Sequence, residues 1–299
     1  MSTSALRTAQ KSLKSLVYHA QTMYLFTKAD IPVVILPNVC LAVTSGPLAS
    51  PSHLVHVVFW IWLHTLALDL SNQTLDLVED AHNKPYRPIP AGRISYRAAC
   101  VLRWVLPLVC WAWSASYSLP LLYASIANCL IVVLYDEMGG AAGHWLYRNI
   151  LNSIGHASIE VGACLLAGND VNVLHPTALR AILCSACIIL LTIHAQDFKD
   201  APGDALVGRR TLPIVHPKTA RPTLLVLMVA SSIALSVYWR LVAAAALAFV
   251  AFGSAIGWLF FSETTKEADK RHLSLYMIWL SVAHTLPAYS NALWTASLF

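Results

Sequence analysis

Five stretches of this chain carry no Asp, Glu, Lys or Arg: Ile31–Leu68, Trp104–Tyr135, Pro222–Trp239, Leu241–Ser262 and His272–Phe299. One helical membrane crossing needs about 20 mainly apolar residues. The first two stretches therefore each have room for a helix, a turn and a second helix. Soluble domains average roughly 25% charged residues, whereas this 299-residue chain has 12%, with 57% hydrophobic residues. Its mean hydropathy of +0.60 agrees. Composition excludes a soluble core and places the chain in a lipid bilayer.

Reading apolar runs against turn signals predicts nine membrane-spanning helices in one all-α domain over residues 1–299. They cover 31–49, 53–78, 97–118, 119–136, 149–168, 176–198, 222–239, 241–261 and 273–297. Pro120, Gly139-Gly140, Pro176 and Pro217 mark breaks between them. The polar, basic residues 1–16 precede no small-residue cleavage site, so no cleavable signal is expected. Seven scattered cysteines, Cys184-x-x-Cys187 included, read as small packing residues of apolar spans.

Charge asymmetry sets the orientation. With nine spans and a cytosolic N-terminus, the inner segments are 1–30, 79–96, 137–148, 199–221 and 262–272. They hold sixteen of the twenty Lys and Arg residues. Adding or removing one helix scrambles this distribution.

Two acidic clusters interrupt the apolar pattern, each ending a predicted span on the inner side. Asn72, Asp76 and Asp80 are spaced i, i+4, i+8, and Asp197, Asp200 and Asp204 are spaced i, i+3, i+7; each set shares a helix face. Oxygen ligands of this kind suit Mg²⁺, which takes one or two carboxylates, waters and substrate phosphate oxygens. Lys84, Arg87, Arg93, Lys199, Arg209 and Arg210 crowd around them. Carboxylates and fixed cations together call for a substrate both metal-bridged and anionic, which describes a diphosphate. The bland alternative, solvated charges at helix ends, accounts for one cluster more easily than for two equivalent ones on one side. Their matching positions also hint at an internal duplication.

These residues resemble the UbiA superfamily of intramembrane prenyltransferases. Its first motif, NDxxDxxxD, is matched by Asn72, Asp76 and Asp80, with Gln73 where the motif has its first Asp. Asn83-Lys-Pro-Tyr-Arg87-Pro-Ile-Pro-Ala-Gly92-Arg93 is similar to the family's continuation. Asp197, Asp200, Asp204 and Gly208-Arg-Arg-Thr211-Leu-Pro213 match its second motif. The resemblance implies a UbiA-like bundle around a central cavity, with Mg²⁺ held by Asn72, Asp76, Asp80, Asp197, Asp200 and Asp204. It makes Lys28 a diphosphate contact; Lys84, Arg87, Arg93, Lys199, Arg209 and Arg210 join it from their crowding around the clusters, and Arg148 and Asn152 from a stripe along the fifth predicted helix. The segment His19–Asp30 is similar to a fungal branch of membrane terpene cyclases. That implies Mg²⁺-dependent ionisation and cyclisation of farnesyl or geranylgeranyl diphosphate, in the endoplasmic reticulum, with the active-site mouth cytosolic. The alternative is transfer of the isoprenyl group to an aromatic or quinone-precursor acceptor. A third, non-enzymatic reading, a transporter or scaffold with a vestigial site, is disfavoured by the intact carboxylates. The expected partners are the isoprenyl diphosphate and the lipid bilayer; no nucleic acid is expected, and no protein partner is inferable.

One more stripe stands out. Arg148, Asn152, His156 and Glu160 recur every four residues along the fifth predicted helix, and a carboxylate deep in a span must face a cavity or a partner. Either His156 and Glu160 form a buried hydrogen-bonded pair, or they wall the cavity and guide or deprotonate a cation. His64 and His194 read as satisfied core histidines.

Overall fold

The computed structural model describes residues 3–296, with side chains described for residues 7–289. Its regular structure is helical; among the described residues there is no β-strand, only an isolated bridge between His144 and Arg210. The helices are α1 Thr3–Thr27, α2 Leu36–Thr44, α3 Pro51–Leu75, α4 Leu77–Asn83, α5 Tyr96–Ala115, α6 Leu119–Val132 and α7 Trp145–Ala167. They continue with α8 Pro176–Thr192, α9 Asp197–Leu206, α10 Leu212–Val215, α11 Ala220–Tyr238, α12 Ala243–Ser262 and α13 Lys266–Ala296.

Among the described residues, seven helical segments are long and apolar enough to cross a membrane, or eight if the bent pair Arg7–Thr27 and Ile31–Thr44 is one span. The nine spans expected from the sequence are not reached by this measure. The bend of 62° in that pair has a local cause. Pro32 lacks an N–H, and the chain passes through a π-helical turn over Ile31–Ile35, one of the few features that kink a helix sharply. The last helix begins earlier than expected, at Lys266, because the Thr265 hydroxyl accepts the Ala268 N–H at 3.2 Å and Glu267 and Asp269 lie in the positive first turn. Its predicted end at residue 297 lies outside the described residues.

Burial sorts the bundle. In α3 and in α7, 61% of the most apolar window is buried, against 22% in α5 and 28% in α12. α3 and α7 are thus the central pair, while α5 and α12 turn most of their surface outward. Gly162 lets the central pair approach: a Cβ there would sit 2.2 Å from the Trp60 ring. Small residues at such crossings are how helices pack in lipid. Buried polar groups are matched between helices, as they must be where no water substitutes. Trp60 Nε1 donates to Ser114 Oγ at 2.9 Å, and His64 bridges the Trp60 carbonyl and Ser125 Oγ. His64 is the satisfied core histidine that was expected. His194 is buried. All seven cysteines are free.

Both acidic clusters fall on breaks. α3 ends at Leu75, and Asp76 leaves helical geometry (φ −99°, ψ 34°) before α4 restarts. The expected continuous face Asn72–Asp76–Asp80 is therefore split into two directions. On the other side α8 stops at Thr192, passes through a 3-10 turn over Ile193–Gln196, and resumes as α9.

Candidate active site

The two breaks bring the clusters together because α4 packs against α9. Their approach is close enough to require glycine: a Cβ on Gly203 would lie 2.0 Å from Asn83 Nδ2. Asn83 donates within α4 to Glu79 Oε1 at 3.1 Å and across this contact to the Asp200 carbonyl at 3.5 Å, and Lys266 Nζ donates to its Oδ1 at 3.2 Å. After α9 the chain turns at Gly208 (φ +71°), and this left-handed residue, costly for any side chain but glycine's, sends Arg209 back between the clusters. Its guanidinium donates to Asp204 Oδ1 at 2.9 Å and Glu79 Oε2 at 3.1 Å, and also to Asp76 Oδ2. One cation thus ties both motifs.

The remaining charges pair around this centre. Lys84 lies 3.8 Å from Glu79 and 4.0 Å from Asp200. Arg87 donates to Asp80 at 2.5 Å and lies 3.9 Å from Asp69. Arg148 donates to Asp197 at 2.6 Å, and Lys199 to Asp200 at 2.5 Å. Burial alone would raise the Glu79 carboxyl, but Lys84 and Arg209 hold it below its ordinary value. For Asp80 burial prevails over Arg87 and Lys84 and pushes it up to about 6. Burial also works against Lys84, and Arg87 adds to that, yet Asp200 and Glu79 keep it above its usual value. Arg209 is held up in the same way by Asp76, Glu79 and Asp204, against burial.

Beneath lies a cavity of about 160 Å³. Asn72, Glu79, Lys84, Arg87, Arg148, Asn152, Asp200, Asp204 and Arg209 line its charged part; Val33, Val34, Leu68, Ile131, Val132, Leu151, Ile159 and Ile193 line its apolar part, with His156 among them. Asp76, Asp80 and Asp197 stand just behind, holding Arg209, Arg87 and Arg148.

The structure places Lys28, Arg93, Lys199 and Arg210 outside the cavity lining. Lys28 does not line the cavity; its ammonium sits 5.1 Å over the Tyr86 ring. Arg93 is drawn to α1, donating to Thr22 Oγ1 and the Tyr18 carbonyl and stacking on the Tyr18 ring. Arg210 is exposed and Lys199 only neutralises Asp200. Gln73, at the substituted motif position, points away from the cavity and donates to the Phe26 carbonyl at 2.9 Å. Glu160 does not pair with His156. Ser185 Oγ donates to it at 2.5 Å, and His284 Nε2 lies 3.8 Å away.

Sequence reasoning missed Asp30, Asp69, Glu79, Tyr135, Asn128 and Gln196, all in the wall. Glu79 and Asp69 could have been found, since both are carboxylates within a turn or so of the first motif; the others carry no spacing signal.

Among the described residues no three His, Cys, Asp or Glu side chains form a ready metal cage. The donor set still fits Mg²⁺, which prefers an open site completed by waters and phosphate oxygens. Asp80 Oδ2 and Asp204 Oδ2 are buried and without a hydrogen-bond partner, as oxygens reserved for a cation would be.

The chain belongs to the UbiA prenyltransferase family, which residues 32–282 match; with its apolar helices, that makes it an integral membrane protein. It is 31% identical over 273 residues to the fumagillin beta-trans-bergamotene synthase of Aspergillus fumigatus, covering 90% of this chain and 92% of that one. It is 28% identical over 225 residues, 72% of each chain, to the somaliensene A/B synthase of Streptomyces somaliensis. The fold is shared with a UbiA homolog from Archaeoglobus fulgidus bound to DMAPP and Mg²⁺, with a TM-score of 0.67, 14% identity, and coverage of 91% of this chain and 98% of that one.

Proposed function

We propose that the protein is a membrane terpene cyclase that ionises an isoprenyl diphosphate of the farnesyl or geranylgeranyl class with Mg²⁺ and cyclises the resulting cation. The observation that carries this reading is a relative named as a bergamotene synthase, similar over nine-tenths of both chains, joined to a cavity with charges at one end and aliphatic walls at the other. The Archaeoglobus protein, of the same fold, carries a prenyl diphosphate and Mg²⁺. Asp76, Glu79, Asp80, Asp200 and Asp204 are the residues that would hold the metal. When bound, Mg²⁺ would neutralise charge developing on the leaving diphosphate.

The chain's own groups do the rest. Lys84, Arg87, Arg148 and Arg209 stabilise the departing diphosphate more than the intact substrate, because its charge grows as the C–O bond breaks. Carboxylate partners keep these cations aimed before the substrate arrives. The apolar half of the cavity excludes water from the carbocation and folds the chain onto itself. The distribution of Lys and Arg supports an acidic mouth on the cytosolic side, and the similarity to a fungal cyclase supports the endoplasmic reticulum as its location.

Purified protein in detergent with Mg²⁺ and farnesyl or geranylgeranyl diphosphate alone tests this reading by gas chromatography–mass spectrometry. A cyclic hydrocarbon or alcohol without acceptor is expected. Diphosphate release that starts only when an aromatic acceptor is added would instead establish transfer.

A further inference from the structure

Resting on the cyclase reading, we infer that His156 is the base that ends the reaction, taking the proton lost when the cyclised carbocation becomes an alkene. A cation that has left its diphosphate keeps rearranging until a neighbouring C–H bond gives up its electron pair. A cavity that makes one hydrocarbon therefore needs a proton acceptor at one fixed place.

Three observations place that acceptor. His156 lines the cavity and is only 8% exposed, and its Nδ1 has no hydrogen-bond partner among the described residues. Leaving a buried imidazole nitrogen unpaired costs about 1–3 kcal/mol, and this one belongs to a side chain that lines the cavity. Second, helix geometry sets its depth. At 1.5 Å per residue, His156 lies about 12 Å along α7 from Arg148, in a wall it shares with Ile159 and Val34. The isoprenyl chain, not the diphosphate, reaches that level. Third, the neighbouring carboxylates are placed differently, and Glu160 is not part of the cavity wall. Glu160, one turn deeper, is turned to Ser185 and His284. Asp69 lies 3.9 Å from Arg87 and accepts from Gln73 through Oδ1.

The step balances without another reactant. The C–H bond next to the cationic carbon breaks, and its electron pair becomes the new double bond. The proton passes to the free lone pair of Nδ1, the neutral ring carrying its own hydrogen on Nε2. Asp30, in the same wall, supplies negative charge to the imidazolium, which returns the proton to water once the product has left. His156 thus selects which hydrogen is lost, and so which alkene forms, while ionisation proceeds without it.

The test compares wild type, His156→Gln, His156→Phe and Asp30→Asn, with Mg²⁺ and isoprenyl diphosphate alone. Diphosphate release and product distribution are read separately, and folding is checked by thermal unfolding in detergent. A positioned base contributes about 10²–10⁴-fold. Both His156 variants should therefore release diphosphate within about threefold of wild type while the wild-type alkene falls at least about tenfold, replaced by isomeric alkenes or by alcohol from water capture. The Phe variant serves if the amide misfolds, since it fills the space with an apolar ring. A purely structural role would lower the unfolding temperature without moving the product ratio. Wild-type alkene in unchanged proportion from folded His156 variants overturns the assignment, even where Asp30→Asn redirects the product. Wild type that needs an acceptor overturns the cyclase reading itself, and the two failures are told apart by that control.

Discussion

Gly203→Ala is the smallest change that should separate the two motifs. The added Cβ would fall 2.0 Å from Asn83 Nδ2 and 2.6 Å from its Cγ, so the Asn83 amide must leave the contact. It takes with it the bonds to Glu79, the Asp200 carbonyl and Lys266. Each is worth about 0.5–1.5 kcal/mol, so a total of roughly 1.5–4.5 kcal/mol is at stake. If α4 lifts from α9 by about 1 Å, the diphosphate contacts are misplaced and about a hundredfold is lost, equivalent to about 2.7 kcal/mol of transition-state stabilisation. The assay is kcat/KM for diphosphate release, with thermal unfolding alongside. Asn83→Ala removes the obstruction, so the double variant Gly203→Ala/Asn83→Ala should fall within about threefold of Asn83→Ala alone, the coupling expected of residues in contact. A Gly203→Ala enzyme with near wild-type kcat/KM would refute the argument that close approach of α4 and α9 builds the site.

Other consequences follow from the same geometry. Asp76→Ala or Asp204→Ala should abolish diphosphate release, because each removes a carboxylate and frees Arg209 to pair with the rest; a rate within tenfold of wild type would contradict their assignment. Arg148→Gln leaves Asp197 buried and unpaired, which costs about 3–5 kcal/mol and should be read as a lower unfolding temperature as well as lost activity; Arg148→Gln/Asp197→Asn should recover the former but not the latter. Gly162→Ala forces a methyl into the Trp60 ring and should destabilise by about 1–3 kcal/mol with little change in kcat at a permissive temperature. Cysteines introduced at Arg210 and Arg240 in a cysteine-free background should label from opposite membrane faces; labelling from one face would overturn the topology.

Much of the fold was legible because a bilayer imposes a length on every span, and charge-free runs of that length cannot hide. The meeting of the two clusters was legible too, since paired carboxylates at equivalent helix ends have few other reasons to exist. What escaped the sequence was partner choice over long separations. Glu160 finds Ser185 and His284, 25 and 124 positions away, instead of His156 one turn along, because its side chain faces α8 and α13. Arg93 and Lys28 carry the right charge for a diphosphate, yet a tyrosine ring captures each one. The break at Asp76 has no proline or glycine to announce it. That break swings Glu79 into the wall and turns Asp80 back toward Arg87, which no periodicity count could assign.

The central claim is that two carboxylate-bearing helix ends jointly hold a metal–diphosphate. Calorimetric titration of the purified protein with inorganic pyrophosphate tests it most directly, without any need for turnover. The account predicts binding that requires Mg²⁺ and disappears in both Asp76→Ala and Asp204→Ala. Pyrophosphate bound equally well in excess chelator, or by either variant, would contradict it.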